Sequence, residues 1–248
     1  MRNYSEVMLE ATASLFLRLQ KDPLLRPFTL IGGTALSLHL GHRLSEDLDF
    51  IYLQPRLPVE LLRAFIDHLQ VAGFTVERSD DPAAEDEFLI AGMELHDFSQ
   101  SFVVDGAVNL TFFAADSHHL KILSPVSPDA TGFSVASLPE LFGLKAMVAS
   151  SRSKSRDWLD LYLLLKDHGF SLDQWHEVYR QVGYSDTQFE SALSRICSGQ
   201  VSPSDPGFES LLPSPPAIQE IASFFREKRR VYETAMAAKV LRNDHQGG

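Results

Sequence analysis

The sequence predicts an α+β protein, in which a mixed sheet with helices over residues 1–134 is followed by an all-helical domain over residues 135–248. Short apolar runs alternate with helical patterns in the first third, which is typical of strands joined by helical crossovers. The dipeptide Asp105-Gly106 between two apolar runs predicts a hairpin, so the same sheet should also contain antiparallel pairs. After about residue 135 only helical periodicity remains.

The individual elements follow from local patterns of apolar and turn-forming residues. Apolar runs or alternation predict extended segments at residues 28–31, 47–53, 74–78, 88–95 and 102–113. Helical periodicity predicts helices at residues 5–20, 34–40, 59–71, 138–150, 156–168, 172–182, 186–197 and 216–240. The acidic stretch 79–87 is interpreted as a solvated connection between strands, and the Pro- and Ser-rich stretch 202–216 as a linker.

Composition indicates an ordinary globular protein with an excess of acidic groups. The chain has 248 residues, 44% of them hydrophobic, and a net charge of −11. That charge disfavours indiscriminate binding to nucleic acid, and the basic clusters at 152–156 and 226–230 are interpreted as solvated faces rather than RNA sites. Because there is no long apolar run and no signal pattern, we expect a cytoplasmic protein without a membrane partner. Cys197 is expected to be a buried apolar residue.

A glycine pair stands where the first predicted strand turns into a helix. The apolar run 28–31 leads directly into Gly32 and Gly33, and Thr34 begins the helix. Glycines let a phosphate approach the backbone N–H groups at the positive end of a helix, and Thr34 could add a hydroxyl donor. Tight packing of the turn, with Thr34 as a simple cap, explains the same residues. Neither GxGxxG nor a Gly-Lys-Ser/Thr loop is present, which argues against a dinucleotide fold or a Walker-type ATPase.

Two aspartates follow in the next predicted strand. Asp47 and Asp49 lie two residues apart, so their side chains share one face of the strand, while Leu48 and Phe50 point to the core. Two carboxylates on one face can hold Mg²⁺. A pair of solvent-facing aspartates at a strand end is the alternative. Because the glycine pair lies just upstream, we favour the metal site.

Together these motifs resemble a known family. The Gly-Gly-Thr turn at 32–34 and the Asp-Leu-Asp at 47–49 are similar to the signature of polymerase-β-like nucleotidyltransferases. With the residues between them, the stretch 31–51 resembles the AbiEii/AbiGii family, nucleotidyltransferase-like toxins of type IV toxin–antitoxin and phage abortive-infection systems. A second match, Leu-Lys-Ala at 144–146 and Arg-Asp-Trp-Leu-Asp at 156–160, resembles that family's later lysine and Arg-Asp-x-x-Asp motifs.

The resemblance implies an Mg²⁺-dependent transfer of a nucleotidyl group from a nucleoside triphosphate to a hydroxyl acceptor. In this hypothesis the turn 32–34 cradles phosphates, Asp47 and Asp49 hold the metal, and Lys145 neutralises charge. The resemblance also implies that the acceptor is RNA, with tRNA as one candidate, or a protein hydroxyl. A cognate antitoxin protein is the further partner it implies.

Several of these residues also have simpler explanations. Lys145 lies beside an apolar helical stripe, from which a lysine ordinarily snorkels to solvent, whereas the resemblance implies a phosphate contact. Asp157 and Asp160 stand near a helix start, where the helix dipole favours acids; the resemblance implies that they face the nucleotide or the acceptor. Arg43 could approach phosphate or pair with Glu46.

The chain departs from the polymerase-like pattern in one respect. Such sites take a third carboxylate from a later strand, and the alternation over residues 106–113 puts Thr111 at that position. A neutral hydroxyl is a poor substitute for an anionic Mg²⁺ ligand. Glu94 and Asp116 are nearby acids, but no spacing favours either. The alternative hypothesis is therefore a catalytically weakened nucleotide-binding or partner-binding module.

Overall fold

The computed structural model describes residues 4–126 and 132–246. The chain divides into two compact units, one ending at Leu141 and the other beginning at Phe142. The first unit contains a six-stranded sheet with helices, and the described part of the second unit contains helices and no strand. Among the described residues, no helix combines the length and apolar character that crossing a membrane requires.

The elements have the following bounds. The strands are β1 (Phe28–Ile31), β2 (Leu48–Tyr52), β3 (Val76–Arg78), β4 (Ser99–Val104), β5 (Val108–Ala114) and β6 (Ser134–Val135). The helices of the first unit are α1 (Glu10–Leu19), α2 (Gly32–Leu40), α3 (Val59–Val71), α4 (Pro82–Ile90) and α5 (His119–Ile122). Then follow α6 (Leu138–Val148), α7 (Ser155–Asp167), α8 (Leu172–Val182), α9 (Asp186–Ser198) and α10 (Ile218–Gln246).

The sheet is mixed, as predicted. Its strand order is β3-β4-β5-β2-β1-β6, with β2 parallel to β5 and β1 parallel to β6, and with the other pairs antiparallel. The predicted hairpin joins β4 and β5. Its turn has φ 50° at Asp105 and φ 63° at Gly106, the two left-handed conformations that a tight hairpin turn requires.

One face of this sheet is packed with aromatic rings. Phe112 of β5 lies at their centre, with ring centroids 5.2 Å from Phe28, 5.4 Å from Phe50, 5.6 Å from Phe65 and 6.5 Å from Phe102. Because side chains alternate along a strand, this packing turns Asp49 of β2 and Thr111 of β5 to the other, more polar face. The hydrophobic core thereby orients the candidate site.

Helix α4 corrects the prediction for residues 79–95, which the sequence pattern indicated to be a solvated connection and an extended run. The helix begins with Pro82 after Asp81, whose side chain accepts a hydrogen bond from the Ala83 amide. No residue of α4 is buried. Its sequence therefore has no apolar face from which a helical period could be recognised.

The helices of the second unit agree more closely with those predicted from the sequence. Ser171 and Ser185 form capping boxes at the starts of α8 and α9, and Trp175 of α8 packs edge to face against Phe189 and Phe225. Cys197 is buried, as predicted, and burial raises the pKa of its thiol. The predicted linker over residues 202–216 is anchored rather than solvated throughout, because Phe208 and Leu211 within it are buried.

Candidate functional site

Two charged side chains lie directly against the glycine pair at the junction of β1 and α2. A Cβ on Gly32 would lie 2.5 Å from Asp49 Oδ2, and a Cβ on Gly33 would lie 2.5 Å from Arg43 Nη2. Gly32 also has φ 74°, which side chains rarely adopt. Tight packing, one of the two explanations left open by the sequence, is therefore present. What packs there is a carboxylate and a guanidinium.

Asp49 is held in place by its strand. It lies opposite Ile31 of β1 and opposite Thr111 of β5, while Leu48 and Phe50 on either side of it are fully buried. Its half-buried carboxylate consequently lies beside the first residue of α2. The positive end of the helix dipole favours a negative charge there.

Asp47 precedes β2 by one residue and is held by contacts from two other segments. Its main-chain carbonyl accepts a hydrogen bond from the Thr34 hydroxyl, and that hydroxyl also lies 2.7 Å from Ser45 Oγ. Its carboxylate Oδ1 accepts a hydrogen bond of 2.8 Å from Asn109 Nδ2. Thr34 is 1% exposed, and its hydroxyl fixes the main chain of Asp47 through this hydrogen bond. Sequence reasoning missed both Ser45 and Asn109.

The loop between α2 and β2 is anchored along its length. Arg43 is 5% exposed and donates a 3.1 Å hydrogen bond to the carbonyl of Leu44. The Ser45 amide donates to the carbonyl of Val7, and Met8 forms an isolated bridge with Ser45. Arg43 and Asp47 are therefore held on a fixed backbone rather than on a mobile loop.

The position expected for a third carboxylate holds Thr111, directly across from Asp49. In the described residues no group of three or more His, Cys, Asp and Glu side chains is arranged to hold a metal ion. Asp116, one of the acids considered, accepts hydrogen bonds from the His118 and His119 amides instead. Mg²⁺ typically takes one or two carboxylates and completes its shell with water and substrate phosphates. Asp47 and Asp49 fit an ion that arrives with a phosphate ligand.

The later motif residues form a buried ionic cluster in the helical unit. Lys145 Nζ lies 2.7 Å from Asp157 Oδ1 and 2.7 Å from Asp160 Oδ2, and Arg152 Nε lies 2.7 Å from Asp157 Oδ2. Lys145 is 8% exposed and Asp160 is 0% exposed. The alternative of a snorkelling Lys145 is therefore wrong.

The electrostatics of this cluster favour the ionised form of Asp157. Burial alone would raise the pKa of this carboxyl, but the opposite charges of Lys145 and Arg152 outweigh burial and lower the pKa. The helix dipole, which is the simpler explanation of an acid at a helix start, is thus only one of the interactions that stabilise the Asp157 carboxylate. The carboxylate is a partner in two ion pairs, one with the buried Lys145 and one with the exposed Arg152.

The mixed sheet, with the glycine turn and the two aspartates beside it, has the form expected of a nucleotidyltransferase. The family model for the nucleotidyl transferase AbiEii toxin of type IV toxin–antitoxin systems matches residues 14–246. The chain belongs to this family, as the resemblance of its motifs implied.

Three relatives that match most of the chain are distant in sequence. An uncharacterised protein of Aquifex aeolicus is 25% identical over 214 residues, which are 83% of this chain and 87% of the relative. A crystal structure described as a nucleotidyltransferase from H. pylori has a TM-score of 0.52 at 18% identity, covering 92% of this chain and 96% of that one. MenT4, a nucleotidyltransferase toxin from Mycobacterium tuberculosis, has a TM-score of 0.45 at 14% identity, covering 90% and 88%. The H. pylori structure supports the fold.

Replacing Gly32 tests whether Asp49 depends on the absence of a side chain. Gly32→Ala introduces a Cβ at φ 74° and 2.5 Å from Asp49 Oδ2, whereas Gly41→Ala introduces one at φ 63° with nothing within 4 Å. Both variants should lose about 1–2 kcal/mol of unfolding free energy through the left-handed conformation. Gly32→Ala should lose roughly 1 kcal/mol more, because the Asp49 carboxylate must turn away from the new Cβ. Urea unfolding measures both, and equal losses would contradict the packing account.

A second prediction concerns the pH dependence of the buried cluster. Because the pKa of Asp157 is lowered in the folded state, its contribution to stability is present above the unfolded carboxyl pKa of about 3.9 and is lost as the pH falls through the folded value. Asp157→Asn should therefore lower the unfolding free energy at pH 7 by roughly 1.5–3 kcal/mol, because Lys145 keeps Asp160 as a partner. The difference from wild type should shrink below about pH 4.

Asp173→Asn is the matched control, since Asp173 also lies in the first turn of a helix but is exposed, with the exposed Lys239 at 3.7 Å as its ionic contact. Its loss should be about 0.5 kcal/mol, the size of a helix-dipole effect. Equal losses for the two variants at pH 7 would show that the ion pairs add nothing to the dipole.

Proposed function

We propose that this protein transfers a nucleotidyl group from a nucleoside triphosphate to a hydroxyl acceptor with Mg²⁺, as the toxin of a type IV toxin–antitoxin or abortive-infection system. The observation that carries the proposal is the position of the Asp49 carboxylate, against Gly32 at the N-terminus of α2, with Asp47 fixed two residues before it. Membership of the AbiEii family supports the toxin and nucleotidyltransferase parts.

The charges at this turn support the presence of a cation in the proposed reaction. The N-terminus of α2 and the guanidinium of Arg43 beside Gly33 favour an anion such as a phosphate. Asp49 lies at the same helix end and would repel that phosphate. A divalent cation held by Asp47 and Asp49 would remove this repulsion, because its charge would attract both the carboxylates and the phosphate oxygens.

Each residue of the turn then has a defined part. Gly32, Gly33 and Thr34 present backbone N–H groups to the phosphates, and Arg43 adds positive charge from a fixed position. Bound Mg²⁺ would stabilise charge on the phosphates and favour loss of the acceptor proton. The acceptor oxygen bonds to the α-phosphorus as the bond to the bridging oxygen breaks, and pyrophosphate leaves in line.

We assign Lys145 to charge neutralisation, with the buried carboxylates of Asp157 and Asp160 as the charges that it neutralises. The distances of 2.7 Å from its Nζ to each carboxylate support this assignment. Direct contact of Asp160 with nucleotide or acceptor has no support, because that side chain is fully buried. Lys145 and the two aspartates stabilise the helical unit in this proposal.

The acceptor in this proposal is RNA, with tRNA as one candidate, or a protein hydroxyl; the partner is a cognate antitoxin protein and the location is cytoplasmic. The basic cluster at 226–230 gives little support for RNA binding, since Arg229 pairs with Glu190 and Glu233 and Arg230 pairs with Glu227. This pairing agrees with the interpretation of the cluster as a solvated face. Recognition of an RNA acceptor would need other groups.

A second function is favoured by one observation, the pairing of Asp49 with Thr111 where a third acid would complete the site. A protein with this site could bind a metal–triphosphate complex without transferring from it efficiently. It would then act as a nucleotide-binding or partner-binding module.

Asparagine substitutions test the metal site. Asp47→Asn and Asp49→Asn should each leave the fold intact and abolish most of the Mg²⁺-dependent part of triphosphate binding, because a neutral oxygen replaces an anionic ligand. Triphosphate binding without Mg²⁺ should persist or strengthen in Asp49→Asn, since a negative charge is removed beside the phosphates. Calorimetric titration with and without Mg²⁺ measures both effects. Asp67→Asn in α3 is the control, and unchanged Mg²⁺ dependence in both site variants would overturn the assignment.

Thr111→Asp separates the two functions. An acid opposite Asp49 should strengthen metal binding and, if transfer is limited by the missing ligand, raise the transfer rate about tenfold, equivalent to about 1.4 kcal/mol. Ser101→Asp is the matched control, because Ser101 pairs with Thr111 on β4, one strand farther from Asp49. A folded Thr111→Asp variant without transfer, beside a wild type that binds triphosphate and also transfers nothing, would favour the binding module.

A further inference from the structure

The two aspartates of the site are held in different ways. Asp49 lies inside β2, between two paired strands, with its carboxylate against Gly32. Asp47 lies before the strand begins, so the sheet ladder does not fix its side chain. Among the described residues, a 2.8 Å hydrogen bond from Asn109 Nδ2 reaches Oδ1 of its carboxylate.

Strand register explains why Asn109 reaches Asp47. Leu48 of β2 pairs with Leu110 of β5, so extending the parallel register by one residue puts Asp47 beside Asn109. Alternation along the strands then places both side chains on the face that carries Asp49 and Thr111. The core positions on the opposite face of β5 keep this register, since a slip of one residue would expose them.

The chemistry of an amide suits this position. Asn109 donates one hydrogen bond to one carboxylate oxygen and leaves the other oxygen of Asp47 able to accept a cation. A lysine or arginine at this position would neutralise the Asp47 carboxylate and compete with the cation. An acid at this position would repel the Asp47 carboxylate. Hydrogen bonds to metal-ligating carboxylates orient them, and their loss typically weakens metal binding 10- to 100-fold.

We propose that Asn109 is a positioning residue that orients the Asp47 carboxylate for a divalent cation, an inference that rests on the proposed function. Strand β5 thus supplies the site with a neutral hydrogen-bond donor, Asn109, that orients an existing acid. It supplies no third acid, because Thr111 stands at the position expected for one. Asn109 acts through Asp47 and does not itself touch the reacting atoms.

The experiment measures Mn²⁺ binding in the presence of each nucleoside triphosphate, by the electron paramagnetic resonance signal of the free ion. Asn109→Leu keeps the branched shape of the side chain and removes its donor, and it should weaken Mn²⁺ binding about tenfold. Val103→Ala, on the β4 residue paired with Asn109, should change it little. Transfer by Asn109→Leu should approach the wild-type rate at saturating metal, because the loss is in metal affinity.

A thermodynamic cycle distinguishes positioning from a general structural effect. In the Asp47→Asn background, Asn109→Leu should cause no further loss of Mn²⁺ affinity, because its target carboxylate is gone. The same loss in both backgrounds, or unchanged affinity in Asn109→Leu alone, would overturn the inference and leave the proposed function standing. A wild type that binds no Mn²⁺ with any triphosphate would overturn the proposed function itself.

Discussion

The close contact between Asp49 and the turn at Gly32 is the constraint on which the site depends. A carboxylate can reach the N-terminus of α2 only because Gly32 has no Cβ and adopts a positive φ. The aromatic packing around Phe112 turns Asp49 toward that helix end by fixing which face of the sheet is buried. Fold and site are therefore coupled through strand alternation, and a register shift would disrupt both.

Charged groups of both signs lie near the turn. A helix N-terminus and a buried arginine favour phosphate, while two aspartates a short distance away oppose it. A metal–triphosphate complex carries both signs of charge and would interact with both sets of groups. The helical unit contains its own compensated set, in which Lys145 and Arg152 balance Asp157 and Asp160.

Much of the fold was predictable because its signals are local. The bounds of β1, α3 and α8 coincide with the apolar periodicity and its terminators, and Asp105-Gly106 marked the hairpin. Helix α4 was not predictable, since it buries no residue. Asn109 lies 62 residues from Asp47, and its contact depends on strand register rather than on any sequence motif. The pairing of Lys145 with Asp157 and Asp160 likewise depends on how two helices pack.

Transfer of label from the α-phosphate tests the central claim most directly. The protein is incubated with Mg²⁺, total RNA, its own polypeptide and each triphosphate, labelled in parallel experiments at the α- or the γ-phosphate. The account predicts covalent label on an acceptor from the α-labelled triphosphate, none from the γ-labelled one, and none with Asp49→Asn. A wild type that binds Mg²⁺ and triphosphate, yet transfers no α-label to RNA or protein, would contradict it.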